Sequence, residues 1–171
     1  MFTKNWYRLL AVTSCMPSNT VSGLVDLSGS AITSTGPSTS YAGHYVLSHL
    51  MQQPRTAFGN SGVFFGNGNE LATLEDYKLS GDYISTFQSM VATSYENEAD
   101  SSSITCNYTL ANTGDTDIVI SEVGIITYAW KGATSNNGWM LIERTVLEEP
   151  VTIEPGGVGQ VTYTIRFNYP T

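Results

Sequence analysis

Few residues in this sequence have the type and spacing that catalysis requires. The two histidines, His44 and His49, are five positions apart, which puts them on opposite faces of a strand and not adjacent on a helix. A histidine metal pair is therefore not expected. A Ser-His-Asp arrangement would have to use one of these two residues, and the sequence contains no G-x-S-x-G nucleophile motif.

Acidic residues near the end of the chain are the other candidates for chemistry, because paired carboxylates can hydrolyse glycosides. These acids are Glu143, Glu148, Glu149 and Glu154. Acids at strand ends and turns are usually only solvated. Asp115 and Asp117, and the acidic loop at residues 96–100, offer clustered oxygens for Ca²⁺ but lack EF-hand spacing. We expect no catalytic residue, no metal site and no cofactor.

Aromatic residues, at 11% of the sequence, are better candidates for a binding role. Tyr128, Trp130 and Trp139 flank a polar loop at residues 131–138. Carbohydrate-binding modules stack sugars on aromatic faces placed around such loops. Trp and Tyr are also enriched in protein–protein interfaces. Core packing is the third interpretation, and we expect it for at least one of the tryptophans.

Composition predicts a single domain, residues 1–171, with a real hydrophobic core. The chain has 171 residues, of which 41% are hydrophobic, and this is enough for one core. Charged residues make up only 13%, against about 25% in an average soluble protein. The polar surface must therefore come mainly from Ser, Thr, Asn and Gly, which fits an all-β chain or a protein held in an assembly.

Charge and hydropathy disfavour two classes of partner. The net charge is −8, and the seven Lys and Arg residues are scattered, whereas nucleic-acid or membrane-surface binding needs several cations on one face. The sequence has no transmembrane stretch, and Lys4 and Arg8 interrupt the first apolar run, so we predict no signal peptide and synthesis in a cytoplasm. Cys15 and Cys106 either form a disulfide or are two small buried side chains.

The N-terminal part predicts a helix followed by a less regular region. Phe2, Trp6, Leu9 and Leu10 have helical spacing, which predicts a helix within residues 1–12. A helix this short is unstable alone, so it packs either on its own domain or on a neighbouring subunit. Residues 13–58 are rich in Ser and Thr and predict an irregular extension or additional strands, including one near residues 21–27.

The second half of the chain predicts about five strands within residues 103–170 and no helix between them. Ile104, Cys106, Tyr108 and Leu110 alternate with polar residues, and so do Val161, Tyr163, Ile165 and Phe167. This period of two marks half-buried strands. The Pro-Gly-Gly turn at residues 155–157 connects the last two strands. We predict an all-β fold, an antiparallel β-sandwich of Ig-like or jelly-roll-like type with a short N-terminal helix.

Six segments form an ordered series: residues 62–69 (GVFFGNGN), 76–79 (DYKL), 122–125 (EVGI), 141–147 (LIERTVL), 150–153 (PVTI) and 156–167. In this order they resemble small structural proteins of tailed bacteriophages. In those proteins a G-x-G … DY-x-L segment precedes a β-domain with E-(V/I)-G-(L/I) and L-x-x-R-T-V-L … P-V-T-(I/V) strands. The resemblance covers roughly residues 59–170.

The resemblance implies a non-enzymatic virion protein, made in the host bacterial cytoplasm and present in the virion in multiple copies. It implies a tail, collar, fibre-attachment or capsid-decoration component, whose partners are other virion proteins and copies of itself. We predict that five residues make interface contacts: Phe2, Trp6, Leu10, Trp130 and Trp139. The alternative is a carbohydrate-binding module that recognises a host-surface glycan through Trp130 and Trp139.

Overall fold

The structure is a computed structural model of the chain. It describes residues 1–8, 20–35, 62–84, 87–129 and 138–168. A short helix covers residues 4–8. The eight strands are β1 (Thr20–Val25), β2 (Ala31–Thr35), β3 (Gly62–Gly66), β4 (Phe87–Asn97), β5 (Ser101–Ala111), β6 (Ile118–Ala129), β7 (Gly138–Ile153) and β8 (Val158–Asn168).

The strands form antiparallel sheets, which confirms the prediction of a β-rich chain with a short N-terminal helix. One three-stranded sheet has the order β3-β6-β7 and the other has the order β4-β5-β8, while β1 and β2 form a separate two-stranded sheet. Each strand pair is antiparallel. Strand β1 lies within the region that the sequence assigned to additional strands.

The alternating pattern of β5 and β8 places one face of each strand in the core. The register pairs Cys106 with Tyr163 and Tyr108 with Val161, so the apolar residues of both strands lie on the same face. The main core cluster combines residues of the two three-stranded sheets with Trp6. Its buried members are Trp6, Val63, Phe65, Cys106, Tyr108, Leu110, Ile120, Val123, Ile125, Ile142, Ile153 and Ile165.

Strand β6 is covered on both faces. All residues from 121 to 127 are buried. Ile125 belongs to the main core cluster, whereas the next residue, Ile126, packs with Leu79 and Leu141 in a second cluster. Consecutive strand residues point to opposite faces, so the segment at residues 67–84 covers the face of this sheet that is turned away from the main core.

One prediction about the strands is wrong: the described residues after residue 103 contain four strands and not five, because β7 is continuous through Pro150. Strand β6 pairs with β7 on both sides of an irregularity, where Glu122 faces Val146 and Ile120 faces Val151. Ser121 therefore lies opposite residues 147–150, which form a bulge. Proline lacks a backbone N–H, and a bulge is a position where a strand tolerates it.

The first residues of the chain pack on their own domain. Trp6 is 4% exposed, and its ring stacks on Phe2 with centroids 4.8 Å apart and on Phe167 at 6.4 Å. The segment that precedes the helix also extends the edge of β7, since Thr3 N donates to Ile142 O at 3.0 Å. Of the two predicted alternatives, packing on its own domain therefore holds for the described part of this helix. Residues 9–12 lie outside the described residues.

Candidate functional site

Four of the motif segments meet on the outer face of the β3-β6-β7 sheet, around one buried arginine. Arg144 of β7 is 1% exposed and Glu122 of β6 is 0% exposed. Asp76 approaches from the covering segment, and Gly68 lies just after β3. We call Arg144, Glu122, Asp76 and the groups that bond to them the Arg144 network.

The guanidinium of Arg144 has a partner for each of its nitrogens. Nε donates to Glu122 Oε2 at 2.7 Å, and Nη1 donates to Asp76 Oδ2 at 2.7 Å. Nη2 donates to the carbonyl of Glu70 and to Ser80 Oγ, both at 2.7 Å. A longer contact of 3.5 Å joins Nη1 to the carbonyl of Leu71. A planar guanidinium with a fixed fork of donors suits such a set better than a lysine would.

The carboxylate of Glu122 also receives backbone N–H groups. Gly81 N donates to Oε1 at 2.8 Å, Gly68 N donates to Oε1 at 3.1 Å, and Ser80 N donates to Oε2 at 3.1 Å. A buried carboxylate is stable only when its charge is paired and its oxygens are hydrogen-bonded. Both conditions hold here, because the covering segment wraps its amides around the oxygens.

Glycines let the covering segment approach the carboxylate this closely. A Cβ atom at Gly68 would overlap Ser80 Oγ and the backbone nitrogen of Gly81. A Cβ atom at Gly66 would overlap the side chain of Glu122. The G-x-G motif is therefore explained by close backbone approach.

The pKa values of the network favour its charged forms. Burial opposes ionisation of Glu122, but hydrogen bonds from Gly81, Arg144 and Ser80 outweigh it and lower the pKa of this carboxyl. Burial likewise opposes ionisation of Asp76, yet hydrogen bonds from Thr73 and Arg144 lower its pKa. Burial acts against the charge of Arg144, while its two carboxylate partners raise its pKa. An ionised, paired and enclosed carboxylate is a poor general acid or base, so the arrangement holds structure together.

What the network holds is the loop at residues 69–76. Arg144 binds the carbonyls of Glu70 and Leu71. Asp76 closes the other end, because Thr73 N donates to its Oδ2 at 3.0 Å and Thr73 Oγ1 donates to its Oδ1 at 2.7 Å. Short side chain–backbone bonds of this kind fix turns.

The acids that were candidates for glycoside hydrolysis do not form a site. Glu143 is buried between the sheets, where it accepts hydrogen bonds from Tyr163 Oη and from Thr145 Oγ1, the latter at 2.7 Å. Burial and the neighbouring Glu143 carboxylate raise the pKa of Tyr163. Glu148, Glu149 and Glu154 are exposed. Within the described ranges, no group of three or more His, Cys, Asp or Glu residues is placed to hold a metal ion.

The predicted interface residues have different positions. Phe2 packs against the main core cluster and Trp6 belongs to it. Trp6 is almost fully buried within the chain, and an interface role for these two residues stays a prediction. Trp139 is half-buried and packs against the cluster of Leu79, Ile126 and Leu141. Leu10 and Trp130 lie outside the described residues, as do His44, His49 and Cys15.

Glu122, Arg144 and Asp76 stand in three of the motif segments, but the motifs alone do not predict that these residues bond to one another. A signal was present in the sequence. Glu122 stands in the apolar stretch IVISEVGII and Arg144 in the apolar stretch MLIERTVL, in a chain that has only 13% charged residues. Charged residues inside buried strands are rarely left unpaired, so each of them predicted a partner.

A scan of protein-family models and searches of curated proteins and of solved structures found no match to this chain. No helix in the described part of the chain has the length and apolar character needed to span a membrane.

Proposed function

We propose that this chain is a non-enzymatic structural protein of a tailed-phage virion, assembled in multiple copies as a tail, collar, fibre-attachment or capsid-decoration component. The observation that carries the proposal is the convergence of motif segments on the Arg144 network. Residues of four segments, represented by Gly68, Asp76, Glu122 and Arg144, bond to or contact one another. The resemblance to phage structural proteins therefore rests on residues that share one structural role.

The finer fold that we propose is an antiparallel β-sandwich, of Ig-like or jelly-roll-like type. Its support is the main core cluster, which takes buried side chains from both three-stranded sheets, for example Ile125 of β6 and Tyr108 of β5. Two sheets that bury their inner faces against each other are what a sandwich requires.

The way this chain uses its buried charge supports a structural role over an enzymatic one. Glu122 and Arg144 are buried and bound to each other, and Glu143 is buried and bound to neighbouring hydroxyl groups. Enzymes instead hold acids and bases where a substrate reaches them, with pKa values near the working pH. Here the carboxyl groups of buried Glu122 and half-buried Asp76 have lowered pKa values.

Assembly in multiple copies is supported by the sheet β4-β5-β8. Its outer strands, β4 and β8, each pair on one side only with a strand of the described residues. The face away from the core carries uncharged polar pairs, such as Thr105 with Thr164 at 2.9 Å and Thr162 with Asn107 at 2.8 Å. Long strands of this kind can add a strand from a second copy.

The glycan-binding alternative receives less support. It needs Trp130 and Trp139 as exposed stacking platforms, but Trp139 packs against the second apolar cluster. No observation on the described residues favours sugar recognition over assembly.

The proposal is tested in a phage that carries this gene, by placing an amber mutation in it. Particles grown in a non-suppressing host should lack one structural feature in negative-stain electron microscopy, and supplying the chain from a plasmid should restore it. Particles of normal form and infectivity without the chain would contradict the proposal.

A further inference from the structure

The loop at residues 69–76 exposes apolar side chains although its backbone is tightly held. Leu71 is 86% exposed and Leu74 is 46% exposed. Single exposed leucines are common on protein surfaces, so their exposure alone has no functional meaning. The difference here is the support beneath them, because the Arg144 network binds the carbonyls of Glu70 and Leu71.

The helix at residues 4–8 adds to the same surface. Lys4 N donates to the carbonyl of Leu74 at 3.0 Å, and the Lys4 ammonium pairs with Glu75. Tyr7, three positions after Lys4, lies on the same face of the helix and is 56% exposed. Trp6 points into the core. We call the exposed side chains of Leu71 and Leu74, on the loop to which Lys4 joins the helix, the leucine-loop surface.

Rigid support has a clear consequence for binding. A loop that becomes ordered on association loses conformational entropy at that moment, and this weakens the complex. The 69–76 loop is already fixed by Arg144 at one end and by the Thr73–Asp76 bonds at the other. Exposed apolar side chains on a loop that is already fixed avoid this cost when they bind a partner.

Charge indicates which partner fits. The loop contains Glu70, Glu75 and Asp76 and no Lys or Arg. Lys4 pairs with Glu75, and the single charge of Arg144 is shared by Asp76 and Glu122, so one negative charge of the network remains, and the Glu70 side chain is exposed. The whole chain has a net charge of −8, so docking two copies through this loop would bring like charges together. A cleft bordered by cations is complementary.

We propose that the leucine-loop surface docks into an apolar cleft, bordered by Lys or Arg, on a different protein of the virion. This inference rests on the proposed virion role and adds the partner and the contact surface to it. In this account, the motif residues around Arg144 serve to present Leu71 and Leu74 in one fixed position.

The test uses virions assembled without this chain, from the amber mutant, and the purified full chain with a fluorescent label. Binding is measured by co-sedimentation over a concentration series. Leu71→Ser/Leu74→Ser should raise Kd at least about thirty-fold, because two buried leucines are lost from the contact. Val158→Ser is the matched control, since Val158 is 64% exposed on β8 and lies outside the surface; its Kd should equal that of the wild type.

A charge variant tests the nature of the cleft. Glu70→Lys should weaken binding several-fold, and this effect should shrink as salt is raised. Thermal unfolding of each variant should match that of the wild type, because the side chains of Glu70, Leu71, Leu74 and Val158 are all exposed.

Three results would overturn the inference. If Leu71→Ser/Leu74→Ser binds as tightly as the wild type while the wild type binds the particles, the virion role stands and the docking surface is wrong. If light scattering shows that the wild type self-associates and that this double variant does not, the occupant is a second copy. If the wild type does not bind the particles at all, the virion role itself fails, and the inference fails with it.

Discussion

Replacing Arg144 by methionine removes the centre of the network while keeping a side chain of similar length. Glu122 would remain fully buried, with hydrogen bonds from Gly68, Ser80 and Gly81 but without a cation. Removing one partner of a buried ion pair typically costs about 3–5 kcal/mol. A domain of this kind has a total stability of about 5–15 kcal/mol, so we expect Arg144→Met to lose a large share of its free energy of unfolding.

The assay is urea unfolding, followed by tryptophan fluorescence and by circular dichroism. Arg166→Met is the matched control. Arg166 Nη1 lies 3.9 Å from Glu98 Oε2, and the Arg166 side chain is 56% exposed. Exposed ion pairs of this kind contribute only about 0–1 kcal/mol to stability. The control should therefore stay close to the wild type in its midpoint urea concentration.

A double-mutant cycle separates the ion pair from simple loss of packing. Glu122→Gln alone leaves Arg144 with only one carboxylate, Asp76, while Glu122→Gln/Arg144→Met removes both charges. The double variant leaves neither an unpaired Glu122 charge nor an Arg144 charge that lacks this partner. Its loss in free energy of unfolding should therefore be smaller than the sum of the two single-variant losses, by at least about 1 kcal/mol. An Arg144→Met loss no larger than that of Arg166→Met, or strictly additive effects, would refute the reasoning.

Three further predictions follow from the same contacts. The free energy of unfolding should be steady above the ordinary carboxyl pKa of about 4 and should fall as pH drops below it, because Asp76 and Glu122 have lowered pKa values in the folded chain. The melting temperature measured against pH checks this. A melting temperature that does not fall below a pH of about 4 would contradict it. Gly68→Ala should lower the free energy of unfolding by about 1–3 kcal/mol, because the new Cβ would overlap Ser80 and Gly81. Gly114→Ala is the control and should be tolerated, since the nearest atom to its Cβ would be Asn112 Oδ1 at 3.4 Å. Equal midpoint urea concentrations for the two variants would refute the close-approach argument. Tyr108→Phe should change stability by less than about 1 kcal/mol, because the Tyr108 hydroxyl is buried and finds no hydrogen-bond partner among the described residues. Tyr163→Phe should destabilise more, because it leaves Glu143 with fewer donors. The reverse order in urea unfolding would contradict this.

Much of the sheet structure follows from the sequence, because strand periodicity is local. The alternation in β5 and β8 predicts both strands and their core faces. The Pro-Gly-Gly turn before Val158 predicts the short connection between β7 and β8, although these two strands lie in different sheets.

The continuity of β7 could not be predicted from the same local signals. Pro150 reads as the end of a strand, because it cannot donate a ladder hydrogen bond. Whether the chain stops or bulges there depends on β6, which pairs with residues on both sides of the interruption. That pairing joins residues far apart in sequence and leaves no local mark.

The Arg144 network was out of reach for a related reason. Its bonds join Arg144 to Glu122, Asp76 and Glu70, which are separated from it by 22, 68 and 74 positions. A charged residue in an apolar strand indicates that a partner exists, but residue spacing does not determine which one. The inward position of Trp6 was equally undecided, because helical spacing shows which residues share a face and not what that face contacts.

The most direct test of the virion role is quantitative mass spectrometry of gradient-purified particles from a phage that carries this gene. The account predicts that peptides of this chain co-purify with the particles at a fixed ratio of several copies per virion, unchanged by washing in high salt. A chain that is abundant in the infected cell but absent from purified particles would contradict the account.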